Sequence, residues 1–194
     1  MRLSKPRIVP LDLDRIDAAQ EAALAPVREG RLGVLNIFRT LAHAPKALTA
    51  FLGWGSYILS RRNALPPRER ELAILRTGFN CGAGYEWTQH CAIGLEAGLT
   101  EVEIGAIKQG PGKQGPGEPS WSVIDRAILS ACDELTRDFF VTDATWEALA
   151  PLGDKARMDL VMTVGQYTQV SMMLNSFGVQ LDPGQTLDPE LDRR

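Results

Sequence analysis

At 194 residues the chain has room for one sizeable core, and its 44% apolar and 23% charged residues are the balance of a folded globular protein. The formal net charge is −3 with acids and bases interspersed, and no basic block or aromatic-interleaved basic stripe occurs, so nucleic-acid binding has no support. No apolar run approaches the roughly 18 residues that span a bilayer, and the opening MRLSKPRIVPLDLDRID has no signal-like apolar core. A cytoplasmic, membrane-free protein is the expectation. Its three cysteines (81, 91 and 132) are an odd number for a structural disulfide framework.

In chain order, residues 1–13 with prolines 6 and 10 read as an extended arm. The alanine-rich IDAAQEAALAPVREG reads as a helix closing at Gly30. NIFRTLAHAP is a short helix with Asn36 as its cap and Pro45 ending it or restarting the next. Leu48, Phe51, Leu52, Tyr57 and Ile58 then recur near helical spacing. Pro66-Pro67 suits the first turn of a further helix, RERELAILRTGF. Past a glycine break, a helix from about Tyr85 to Glu96 stops at Gly98. Thr100 and Glu103 form a capping-box pattern for the next. Residues 110–119, GPGKQGPGEP, form a linker loop. WSVIDRAILSACDELTRD is amphipathic, with Val123, Ile124, Ala127, Ile128, Ala131 and Leu135 on one side. Thr142 or Asp143 opens a short helix, and a long apolar one, KARMDLVMTVGQYTQVSMMLNSFGV, follows. Residues 181–194 read as an extended or mobile tail. Strand alternation is absent, so the chain reads as one all-α domain over 1–194. Glu71 before LAILRTGF and Asp159 before LVMTVGQY make a faint internal echo, fitting two related helical halves.

The chemistry concentrates in NCGAGYEWTQHC, residues 80–91, which holds two of the three cysteines and one of the two histidines. A redox dithiol normally places its sulfurs about one helical turn apart. Cys81 and Cys91 are ten residues apart, the second inside a helix, so the spacing disfavours a working pair. Cys132 sits at a core-like position. Metal binding is also disfavoured: His90 and Cys91 are adjacent and point about 100° apart on a helix, and no second ligand pair accompanies Glu86 and His90. Glu86 and His90 stand at i and i+4 on one helix face, where a carboxylate can fix an imidazole tautomer and favour its protonated form. Glu86 also lies in the first turn, where the helix dipole favours its charge. A surface ion pair is the competing reading of that spacing.

Glu71, Cys81, Tyr85-Glu86-Trp87 and His90, followed by AxxxGLT, resemble the carboxymuconolactone decarboxylase family, which includes alkyl hydroperoxidase D. NIFRTLAHAP and YTQVSMMLNSFGV look like its flanking helices, so the resemblance runs from about Val34 to Gly178. It implies an alkyl hydroperoxidase D-like helical fold assembled as a homo-oligomer, a trimer or hexamer. The family's peroxidase branch uses a Glu, a Cys-x-x-Cys and a His four residues beyond the second Cys. Counted back from His90, the second cysteine position is Glu86 and the first is Ala83, while the upstream Glu falls on Glu71. Both redox cysteines are therefore missing from their family positions, and Cys81 lies two residues before the first of them.

That departure points to the decarboxylase-like branch: cofactor-free acid–base chemistry on a small carboxylated or lactone substrate. Resemblance and spacing nominate His90 as general acid/base, Glu86 as its orienting partner and Glu71 as a second carboxylate. Arg76, Tyr85 and Trp87 are candidates for holding the substrate. The alternatives are a thiol-dependent peroxidase-related protein using Cys81 or Cys91, and a non-enzymatic oligomeric binding protein. His43 reads as a helix-end packing residue, Arg39 is undecided between a site and a subunit contact, and Met162, Met172 and Met173 suit core or interface.

Overall fold

The computed structural model describes residues 3–29, 33–112 and 120–192. Among these residues there are α-helices and short 3-10 turns but no strand, so the fold is all-α. The helices are α1 (Ala18–Leu24), α2 (Asn36–Leu41), α3 (Pro45–Ile58), α4 (Pro67–Asn80), α5 (Gly84–Glu96), α6 (Glu101–Ile107), α7 (Val123–Asp138), α8 (Asp143–Ala148) and α9 (Gly153–Phe177). No helix among them is long and apolar enough to cross a membrane.

The helix limits follow local chemistry. Pro45 and Pro67 each sit in the first turn, where the missing N–H costs nothing. Asp17 with Gln20, Thr100 with Glu103 and Ser122 with Asp125 each close a full capping box, and Thr142 caps α8. Gly98, at φ +104°, turns the chain out of α5 while Leu99 N–H donates back to the Gly94 carbonyl.

α4 is the axis of the bundle. It packs against α5, α7 and α9, and its residues from Glu71 to Gly78 are all buried. The main core lies around it: Leu72, Leu75, Leu129, Leu160, Trp87 and Trp121 are nearly inaccessible to solvent. A second apolar cluster joins α2 (Ile37), α5 (Tyr85) and α9 (Val170, Leu174). The cavity described below opens beside this second cluster.

Several sequence expectations differ from the fold. Asn36 does not cap α2; it is the first helical residue, its amide donating to the Gln180 and Leu181 carbonyls and its backbone N–H to Asp182. The helix expected to run to Gly30 ends at Leu24 in a 3-10 turn, and Gly30 lies outside the described residues, as does 113–119 of the linker. Val123 is 64% exposed, so it does not share the buried face of α7. The arm before residue 14 is tied down: Arg39 donates to the Leu11 carbonyl, and His43 Nε2 lies 2.9 Å from the Val9 carbonyl oxygen. Asp159, the echo of Glu71, accepts from Tyr57, Lys155 and Ala64 N–H and anchors α9 to the α3–α4 connection.

The largest difference is the tail. Residues 181–192 are not loose: Lys108 pairs with Asp188 at 2.5 Å and Glu190 at 3.0 Å, and Leu191 is fully buried in the main core. Charge and proline content made the segment look mobile, but a single leucine after Pro189 seats it. Leu191→Ala should therefore lower the unfolding free energy by about 2–5 kcal/mol, read as a shift in the urea midpoint. A shift under ~0.5 kcal/mol, the level of a neutral surface change, would mean that the tail is not part of the packed structure.

Candidate functional site

α4 and α5 approach closely because Gly94 faces the crossing: a Cβ there would stand 3.1 Å from Leu99 and 3.3 Å from Leu75. This close contact brings Glu71 of α4 beside His90 of α5. His90 Nδ1 lies 2.7 Å from Glu71 Oε2, with both side chains buried. A carboxylate can only accept, so Nδ1 carries the proton and Nε2 is the nitrogen left for another partner. The ring also meets Tyr167 of α9 edge-on, the centroids 4.9 Å apart and the planes at 89°.

Glu86, one turn before His90, is buried to 2% exposure, and its Oε2 accepts a 3.3 Å hydrogen bond from Ser171 of α9. Gly78 makes room for it: a Cβ at 78 would stand 2.9 Å from Glu86 Oε1. Burial, with the nearby Glu71 charge adding to it, holds the Glu86 carboxyl well above the usual carboxylate range. The helix dipole does not set its charge, as the sequence suggested; desolvation wins because the side chain is fully enclosed. Glu71 Oε1 and Glu86 Oε1 are both buried without a hydrogen-bond partner in the protein.

Glu86 and His90 line a cavity of about 390 Å³. Its remaining wall is largely apolar and comes from four helices, including Ile37 and Phe38 of α2, Phe51 and Ile58 of α3, and Val170 and Leu174 of α9. Ser56, Tyr85, Gln89, Gln166 and Tyr167 are the other lining residues with polar side chains. Burial, with the Glu71 charge adding to it, pushes the Tyr167 phenol upward. Among the described residues no group of three His, Cys, Asp or Glu side chains is arranged to hold a metal ion.

The structure brings Glu71, Glu86 and His90 together, but with a different pairing from that expected. The orienting carboxylate of His90 is Glu71, nineteen residues away, and not its i−4 neighbour Glu86. Arg76 does not reach the cavity: it is held by Asp133 (2.6 and 2.9 Å) and by the Ile107 and Lys108 carbonyls, where it closes the C-terminal end of α6. Trp87 also points away, into the main core against Phe79, with Lys108 over its ring. Tyr85 does line the cavity, but its hydroxyl is engaged by Asp182. Cys81, Cys91 and Cys132 are not among the lining residues and none is in a disulfide. Burial pushes the Cys91 thiol up to about 11 and the Cys132 thiol to about 12, against thiolate formation.

Sequence reasoning missed Tyr167, Ser171 and Gln166. One signal was present: Tyr167 and Ser171 are four residues apart in the predicted long helix, placing two hydroxyls on one face of α9.

Residues 45–109 match the CMD family, the Carboxymuconolactone decarboxylase family. No curated protein matches the chain in sequence. Among solved structures, the fold is similar to an alkylhydroperoxidase AhpD core, an uncharacterized peroxidase-related protein from Ralstonia eutropha JMP134, with TM-score 0.76, 19% identity and coverage of 92% of this chain and 93% of that one. An uncharacterized peroxidase-related protein from Silicibacter sp. TM1040 gives TM-score 0.72 at 15% identity, covering 99% and 98%. The debrominase Bmp8 in complex with 2,3,4-tribromopyrrole gives 0.74 at 14%, covering 93% and 94%. At these identities the likeness establishes architecture and not chemistry. The matched segment 45–109 holds Glu71, Glu86 and His90 of α4 and α5, while the helices around it complete the shared architecture. The segment that carries the two glutamates and the histidine is thus the one similar to the Carboxymuconolactone decarboxylase family, and the whole chain shares its helical architecture with alkylhydroperoxidase D-like structures.

Proposed function

We propose that this protein is a cofactor-free acid–base enzyme of the decarboxylase-like kind, acting on a small carboxylated or lactone ring. The observation that carries this reading is the buried Glu71–His90 hydrogen bond at the wall of an apolar cavity. Such a bond fixes the orientation of the imidazole and leaves Nε2 for a ligand, the arrangement a general acid/base needs.

In this reading the substrate carboxylate leaves as CO2 and the electron pair of the broken C–C bond spreads into the unsaturated carbonyl as a dienolate. His90 delivers its Nε2 proton to the carbanionic carbon and is reprotonated from solvent. Glu71 keeps the ring oriented and offsets its charge. Glu86, whose carboxyl burial holds well above the usual carboxylate range, favours its protonated form and acts as a hydrogen-bond donor to the developing oxyanion. The debrominase of similar fold is bound to a small halogenated pyrrole, which is in keeping with a ring-sized ligand for this cavity. A thiol route is less favoured, because no cysteine is at the cavity wall and the Cys91 thiol is raised.

With a carboxylated unsaturated lactone as substrate and CO2 release as readout, His90→Ala should lower turnover by about 10²–10⁴-fold, while Cys81→Ser keeps it. An equal loss in both variants would overturn the mechanism in favour of thiol chemistry. Peroxide consumption that vanishes on thiol alkylation would do the same.

Glu86 also predicts a pH signature. Its folded-state pKa lies above the unfolded value of about 4.3, so above that value the folded protein binds the extra proton. Stability is then lost as pH rises through the window between the two pKa values. Glu86→Gln removes this dependence. The variant should be more stable than the parent near neutral pH, with the difference shrinking as pH falls toward about 4.3. Urea midpoints across that range test it, and a gap that does not vary with pH would contradict a neutral Glu86.

A further inference from the structure

Two cavity-lining residues of α5 present hydrogen-bond donors that are turned onto the tail. Tyr85 Oη donates to Asp182 Oδ2 at 2.5 Å, and Gln89 Nε2 donates to the same oxygen at 2.8 Å and to Gln185 Oε1 at 3.2 Å. Asp182 Oδ1 meanwhile accepts from the Asn36 backbone N–H at 2.8 Å, at the start of α2. One carboxylate thus joins α2, α5 and the tail at the edge of a cavity that both helices line. Burial and the Asp182 charge also keep the Tyr85 phenol protonated, so it remains a donor.

We propose that Asp182 is a positioning residue that sets ligand selectivity: it withdraws the Tyr85 and Gln89 donors from the cavity and so keeps this wall apolar. The inference rests on the reading that this cavity holds the ligand. The geometry is specific for a carboxylate. Asp182 accepts three hydrogen bonds with two oxygens, and an amide at this position has one acceptor oxygen, leaving its NH2 facing either Tyr85 and Gln89 or the Asn36 N–H. The strap does not depend on Asp182 for its attachment, because Lys108 and Leu191 anchor its far end separately. Losing the carboxylate therefore frees the Tyr85 hydroxyl and one N–H of Gln89, whose other N–H stays on Gln185, while the tail stays in place.

The test compares toluene with 4-methylphenol, two probes of nearly equal shape that differ by one hydroxyl. Their affinities are measured by calorimetry on the full-length parent, on Asp182→Ala and Asp182→Asn, and on Lys108→Gln, which cuts a tail ion pair without touching Asp182. Melting curves confirm that each variant is folded. The preference for 4-methylphenol over toluene should rise by about fivefold or more in Asp182→Ala, as expected for one gained hydrogen bond, rise by less in Asp182→Asn, whose one carbonyl oxygen still accepts, and stay at the parental ratio in Lys108→Gln. A parallel loss of affinity for both probes, with the ratio unchanged, would show Asp182 to be only structural and overturn the proposal. Failure of the parent to bind either probe would overturn it together with the ligand-site reading. A shifted ratio in a protein that releases no CO2 from the lactone would uphold the proposal and reject the catalytic reading.

Discussion

The hydrogen bond between Glu71 and His90 is the constraint around which the site is organised. It requires a carboxylate inside a helix bundle, where an unpaired charge would cost several kcal/mol. The imidazole meets that need on one oxygen. A second carboxyl, Glu86, shares the same enclosure, and burial with the Glu71 charge beside it holds it well above the usual carboxylate range.

Packing makes this arrangement possible. Gly94 permits the α4–α5 approach that places Glu71 against His90, and Gly78 leaves the space that the Glu86 carboxyl occupies. α9 crosses both helices and contributes Ser171 to Glu86 and the Tyr167 ring to His90. α2 and α3 close the apolar side of the cavity, and the tail fastens α2 to α5 through Asp182. α4, α5 and α9 therefore each meet the site through a named residue.

Much of the fold was legible, because its signals are local. Prolines 45 and 67 in first turns, the Thr100–Glu103 capping box and the Gly98 stop all lie where the sequence places them. The site was legible as a set of residues but not as a set of bonds. Spacing joined Glu86 to His90, since helix neighbours at i and i+4 are the pairs that a one-dimensional reading can see. The bond that forms joins residues on two helices, and a sequence pattern holds no record of which helix faces which. Arg76 and Trp87 do not line the cavity for the same reason: Arg76 is held by Asp133 and the end of α6, and Trp87 packs in the main core.

The tail shows the same division from the other direction. Its terminal position reads as extended or mobile, yet Asp182 finds partners in α2 and α5, Asp188 pairs with Lys108, and Leu191 is buried in the main core. The sequence by itself determined the helices, their ends, the family resemblance and the concentration of chemistry between residues 71 and 90, because propensity, capping and short motifs act within a turn or two of chain. Only the tertiary structure decided which carboxylate holds His90, which one burial raises, and which polar groups are turned from the cavity. Those outcomes depend on burial and on contacts across helices, and both exist only once the bundle has closed.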